Sequence, residues 1–116
     1  MFYRLGSTDL NPKGVTVEES QKFAKRLVEN GVDVIDVSGG LCSSSPSERA
    51  GKQGFFMKEA EKIKEVVDVP VIGVGGITDP EYADKVIREG KADLVAVGRA
   101  VLKDPAWFTK ALKQLK

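Results

Sequence analysis

One stretch of the chain alternates between strand-like and helix-like composition: VPVIGVGGITDPEYADKVIREGKADLVAVGRA, residues 69–100. Residues 69–74 and 92–97 are short apolar runs rich in β-branched side chains, which is typical of buried strands. Between them, Asp79 and Pro80 form a helix start and Gly90 marks a helix end. Two strands joined by a helix pair in parallel, because a hairpin leaves no room for the helix. The stretch therefore predicts a parallel strand-helix-strand unit.

The same alternation extends over the rest of the chain. Residues 2–5 and 32–37 are two further strand candidates. A first helix is predicted from Thr16, which stands at a capping-box spacing, to Gly31, and a second helix over residues 56–67. Strands and helices in this order predict an α/β fold of four βα units with parallel strands.

A last helix is predicted from Asp104 and Pro105 to the C-terminus. Its apolar residues recur at helical spacing, so they are expected to form a buried, packing stripe. That stripe consists of Trp107, Phe108, Ala111, Leu112 and Leu115.

Composition excludes several classes of function. A length of 116 residues with 41% hydrophobic and 30% charged residues is typical of one globular domain. The 18 basic and 17 acidic residues are interspersed, which argues against nucleic acid or an anionic membrane as a partner. Cys42 is the single cysteine and there is no histidine, so no internal disulfide and no usual zinc site is expected. No apolar run approaches the ~20 residues of a membrane span, and we predict a cytoplasmic protein.

Candidate binding residues stand at the ends of the third and fourth predicted strands. Gly75 and Gly76 end one strand, and Gly98 and Arg99 end the next. Carboxyl ends of parallel strands face the ligand in α/β proteins, and glycines let backbone amides approach phosphate oxygens. Arginine adds a fork that matches phosphate. The alternative for the glycine pair is an ordinary tight turn. Arg4, within the first strand, either meets a partner or points into solvent.

The segment after the second strand offers no comparable pattern. Ser38, Cys42 and the serines at 43–45 are interpreted as a flexible polar loop.

The chain resembles the old yellow enzymes, which are FMN-dependent NAD(P)H oxidoreductases that include ene-reductases and dienoyl-CoA reductases. The most specific match is ADLVAVGRAVLKDPAW, residues 92–107, which follows the family's eighth-strand signature. Residues 2–9, 33–40 and 70–78 resemble the fifth, sixth and seventh strands. The resemblance implies one half-barrel domain over residues 1–116, equivalent to strands 5–8 of an FMN-binding (β/α)8 barrel.

The resemblance also implies roles for individual residues. Arg4 matches an arginine near the pyrimidine edge of the flavin, where a cation stabilises the reduced ring. Gly75, Gly76, Gly98 and Arg99 match the two loops that enclose the FMN phosphate. FMN is then the cofactor and NAD(P)H the expected hydride donor, with no catalytic residue and no metal ligand in this chain.

A complete barrel takes about 250 residues, so four βα units are half of one. The resemblance places the family's electrophilic pair, which usually includes histidine, and the tyrosine or water that protonates the product in the other half. We therefore expect a truncated gene, a fragment or an engineered piece, with little or no activity alone.

An open four-stranded sheet leaves edges and an apolar face uncovered, which predicts a homo-oligomer or pairing with a complementary half-barrel. Two alternatives stay open: a non-catalytic module that binds phosphate or FMN or assembles with itself, and a different phosphate-binding barrel.

Overall fold

The computed structural model describes residues 1–42, 46–49 and 51–116. The predicted loop serines at 43–45 lie outside these ranges. Strands and helices alternate along the chain, and a 3-10 turn at Ser47–Arg49 lies between the second strand and the second helix. The elements are β1 Phe2–Gly6, α1 Val17–Glu29, β2 Val34–Ser38, α2 Met57–Lys64, β3 Val71–Val74, α3 Pro80–Arg88, β4 Leu94–Ala96, α4 Arg99–Lys103 and α5 Trp107–Gln114.

The four strands form one parallel sheet in the order β1-β2-β3-β4. This sequential order is what right-handed βαβ crossovers produce when each strand is placed beside the one before it. The predicted α/β class with four parallel βα units is confirmed.

Local capping chemistry sets the helix ends. The amide of Glu19 donates to Thr16 Oγ1 at 3.3 Å, and the Glu19 carboxylate bonds the Thr16 hydroxyl at 3.2 Å. Both the amide and the carboxylate of Glu19 thus interact with Thr16, as the capping-box spacing predicts. Gly31 has φ of +101°, and Gly90 has φ of +73°, so both residues are left-handed helix stops as predicted.

The core lies between one face of the sheet and α1, α2 and α3. Alternate strand residues, including Leu5, Ile35 and Val71, are buried there. Helix residues complete the same cluster: Ala24, Met57, Ala60, Ile63, Ala83 and Val86.

The opposite face of the sheet carries a row of register neighbours. Arg4 pairs with Asp36, Asp36 with Ile72, and Ile72 with Leu94. Leu94 is 48% exposed, and Phe2, on the same face of β1, is 70% exposed. This row, with Phe2, is called the open face below.

The second and third strands begin two residues later than predicted, and α2 spans Met57–Lys64 and not residues 56–67. Three further predictions about the elements were wrong in detail. The fourth strand is shorter than residues 92–97, because its single neighbour β3 ends at Val74, the register partner of Ala96. Ser38 is the buried last residue of β2 and not part of a loop.

The third concerns the last helix, which begins at Trp107 and follows a separate helix, α4. Its predicted buried stripe is largely exposed: Phe108, Leu112 and Leu115 are 51%, 64% and 42% exposed, and Ala111 is buried. The contacts of α5 are mainly with α4, so its apolar face lacks a covering layer in the described chain.

Candidate functional site

A cleft of about 570 Å³ opens at the carboxyl ends of β3 and β4. It brings together four of the five residues that the sequence singled out, namely Gly75, Gly76, Gly98 and Arg99. Parallel strands direct their carboxyl ends to the same edge of the sheet, which explains why these two loops meet. Arg4 is not among the residues that line the cleft.

The glycine pair after β3 is required by the backbone. Gly75 has φ of +122° and Gly76 has φ of +61°, a region that side chains with a Cβ avoid. A Cβ on Gly75 would also lie 2.7 Å from the backbone nitrogen of Phe55. By contrast, a Cβ on Gly98 would meet no atom within 4 Å, so the space above Gly98 is open to a ligand.

One wall of the cleft comes from the segment before α2, which sequence reasoning missed. Lys52, Gln53 and Phe55 line the cleft from this side. The segment is tied to the strand end, because the amides of Gly54 and Phe55 donate to the Gly75 carbonyl at 2.6 and 3.1 Å. The sequence signal that could have indicated this wall is the glycine pair Gly51 and Gly54. Their φ values of +79° and +74° let the chain turn on both sides of Lys52 and Gln53.

Arg99 is held in the cleft by an aromatic contact. Its guanidinium carbon lies 5.8 Å from the centroid of the Phe55 ring, within the range of a cation–π interaction. The side chain is exposed, so the fork can still reach a ligand.

The charge of the cleft suits an anion. Lys52, Arg99 and Lys103 line it, and none of the described residues that line it is acidic. Cations on several sides of one cleft raise the local concentration of anionic ligands.

Arg4 lies on the open face beside Asp36. Its guanidinium donates to Ser38 Oγ at 3.2 Å, so the arginine meets a partner near the carboxyl end of β2. Burial raises the pKa of Asp36, and the charge of Arg4 lowers it by a smaller amount. Asp36 Oδ1 is buried without a hydrogen-bond partner in the part of the chain that the structure describes.

Among the described residues, the structure supports neither a reactive cysteine nor a metal site. Cys42 Sγ donates to the Thr8 carbonyl at 3.2 Å, and burial raises the pKa of its thiol. Within residues 1–42, 46–49 and 51–116, no cluster of three metal-ligating side chains occurs. In the same ranges no helix has the length and apolarity to cross a membrane.

Comparison with known proteins places this geometry in context. An NADH oxidase of Thermoanaerobacter brockii is 45% identical over 112 residues, which cover 94% of this chain and 17% of the oxidase. An NADPH dehydrogenase of Bacillus subtilis is 39% identical over 116 residues, covering 99% of this chain and 33% of that enzyme. The chain thus spans a third or less of the length of these relatives.

A solved structure shows the same fold. Histamine dehydrogenase from Rhizobium sp. 4-9 superposes with a TM-score of 0.82 at 23% identity, covering 97% of this chain and 16% of the dehydrogenase. The predicted half of a (β/α)8 barrel is confirmed. The family model described as NADH:flavin oxidoreductase / NADH oxidase matches residues 1–116. Because that match covers the whole chain and confirms both the predicted resemblance and FMN as the family cofactor, the chain belongs to the NADH:flavin oxidoreductase / NADH oxidase family.

Proposed function

We propose that this chain is the phosphate-binding half of an NAD(P)H-dependent FMN oxidoreductase, equivalent to strands 5–8 of the complete barrel. The observation that carries the proposal is the convergence of Gly75, Gly76, Gly98 and Arg99 in one basic cleft. The family match supports a flavin as the ligand of that cleft.

The cleft fits the phosphate group of FMN in three respects. Positive φ at Gly75 and Gly76 leaves their backbone unshielded by a Cβ, so amides can approach phosphate oxygens. Open space at Gly98 gives the anion room. Arg99 supplies a planar fork, and hydrogen bonds to charged groups contribute about 1.5–3 kcal/mol each.

Arg4 is proposed to act at the other end of the flavin. Its bond to Ser38 Oγ directs the guanidinium along the open face towards the carboxyl end of β2. A fixed cation there would stabilise negative charge at the pyrimidine edge of the reduced ring. Bound FMN would supply the hydride transfer itself, from NAD(P)H to an acceptor.

Substrate activation is proposed to come from residues outside this chain. The 116 residues contain no histidine, so an imidazole donor for a substrate carbonyl has to be contributed by a second polypeptide or segment.

Substitution of Arg99 tests the phosphate site. We expect Arg99→Ala to weaken FMN binding by about 1.5–3 kcal/mol, because a charged hydrogen-bonding partner of the phosphate is lost. Riboflavin, which lacks the phosphate, should bind both proteins equally. Quenching of flavin fluorescence measures both dissociation constants.

The matched control is Arg88→Ala on α3, where the guanidinium pairs with Asp84 at the surface and does not line the cleft. It removes the same charge and should leave the FMN dissociation constant unchanged within twofold. Equal FMN affinity of Arg99→Ala and the unmodified chain would remove Arg99 from the site.

We also propose that the chain self-associates through the open face, because the apolar surface of that face is uncovered. This is the alternative in which the chain is an assembling module. Leu94 and Phe2 expose apolar surface beside Asp36 Oδ1, which is buried and has no hydrogen-bond partner among the described residues. We expect a homodimer or larger assembly at micromolar concentration, and Leu94→Glu should shift it to monomers because the charge would be buried. Light scattering measures both masses.

Leu112→Glu on α5 is the comparison, since this side chain is 64% exposed on a different surface. A monomeric unmodified chain would contradict the proposal. The proposal would also be contradicted if Leu112→Glu dissociated the assembly and Leu94→Glu did not, because the contact would then lie on α5.

A further inference from the structure

The side chain of Gln53 joins two segments that are distant in sequence. Its Oε1 accepts hydrogen bonds from the backbone amides of Thr78 and Asp79, both at 2.9 Å. Both partners are N–H donors, so the amide group must present its oxygen to them. These amides immediately precede α3, where helix geometry provides no acceptor for them.

The two residues after Gln53 bind the first residue of the turn that leads from β3 to α3. The amides of Gly54 and Phe55 donate to the Gly75 carbonyl. Three consecutive residues, 53–55, therefore hold both ends of the turn that runs from Gly75 to Thr78. The Tyr82 hydroxyl in turn donates to the Gln53 carbonyl at 3.3 Å and fixes this segment against α3.

Most of the amides at the start of α3 already have an acceptor within the described chain. Asp79 Oδ1 accepts from Glu81, Pro80 has no N–H, and Gln53 occupies the amides of Thr78 and Asp79. These positions therefore offer no free amide to an anion in the cleft, which is also lined by the glycine turn and Arg99.

We propose that Gln53 is a positioning residue for the phosphate site: its side-chain oxygen fixes the Gly75–Gly76 turn and occupies the two amides that precede α3. This inference rests on the proposed function and names a specific residue that shapes the site. Trp107 supports the same segment by donating from Nε1 to the Thr78 carbonyl at 3.0 Å, but it cannot replace an acceptor for the two amides.

Gln53→Met tests the proposal, because methionine has a similar length and no acceptor of comparable strength. In the ligand-free chain, the amides of Thr78 and Asp79 should exchange hydrogen at least about tenfold faster. The FMN dissociation constant should rise about tenfold, which is about 1.4 kcal/mol, whereas the riboflavin dissociation constant should stay within about twofold.

The control is Gln114→Met at the end of α5, an exposed glutamine that does not line the cleft. It should change neither exchange nor FMN affinity. If the amide hydrogens of Thr78 and Asp79 exchange at an unchanged rate in Gln53→Met, the proposal that Gln53 fixes this turn is overturned.

Equal losses of FMN and riboflavin affinity would show a general structural role and would overturn the positioning role. If the unmodified chain binds neither flavin, the proposed function fails and this inference fails with it. If the unmodified chain binds FMN and Gln53→Met keeps that affinity, the inference alone fails.

Discussion

The 116-residue chain, supplied with excess FMN, should not reduce cyclohexenone at an enzymic rate. Enone reduction places negative charge on the carbonyl oxygen while hydride arrives at the β-carbon, and preorganised donors have to stabilise that charge. The sequence has no histidine to act as such a donor. Losing one donor of this kind costs about 10²–10³ in rate in acyl-transfer sites.

Proton delivery is missing as well. Tyr3 packs edge-on against Phe23 on the helix side of the sheet, and the hydroxyl of Tyr82 is bonded to Gln53. Neither tyrosine is therefore placed to protonate a substrate at the open face. A positioned general acid contributes about 10²–10⁴, so the combined loss is at least about 10⁴-fold.

The assay follows NAD(P)H oxidation without oxygen, with and without cyclohexenone. We expect no enone-dependent rate. Slow transfer of electrons from reduced flavin to oxygen requires little beyond an accessible ring, so omitting oxygen separates it from enone reduction. Enone-dependent turnover near 1 s⁻¹, the low end of ordinary enzyme rates, would show that this half-barrel builds a substrate site of its own.

Phe56→Ala should lower the free energy of unfolding by about 3–5 kcal/mol, the usual cost of removing a fully buried phenylalanine. The ring is 0% exposed, meets Phe55 edge-to-face at 6.5 Å and lies 6.0 Å below the Arg49 guanidinium. It also fills the space beside Gly39, where a Cβ would collide with it. The loss is large because domains of this size are stable by about 5–15 kcal/mol.

Urea unfolding followed by circular dichroism measures this difference. Phe108→Ala is the control, because that ring is 51% exposed on α5. Its substitution should cost less than about 1 kcal/mol. A similar cost for both substitutions would contradict the assignment of Phe56 as a fully buried packing residue.

The helix ends were predictable because capping depends on residues only a few positions apart. Thr16 and Asp79 supply oxygen atoms to amides two or three residues ahead, and Gly31 and Gly90 adopt the backbone that stops a helix. Parallel pairing followed from the same alternation. Convergence of Gly75 and Gly98 then followed from the parallel sheet.

The wall formed by Lys52, Gln53 and Phe55 was not predictable in the same way. Gln53 contacts Thr78 across 25 positions of sequence, and no local pattern reports such a contact. The stripe on α5 failed for a related reason. Apolar spacing shows which face of a helix is able to pack against a neighbour. Burial depends on whether another element lies against that face, and no described element covers Leu112.

Equilibrium dialysis of the purified chain against FMN tests the central claim most directly. The account predicts saturable binding of about one FMN per chain, with flavin absorbance that stays with the protein and with weaker binding by Arg99→Ala. A colourless chain that takes up no FMN at concentrations far above micromolar would contradict the account and would favour a non-catalytic module or a different phosphate-binding barrel.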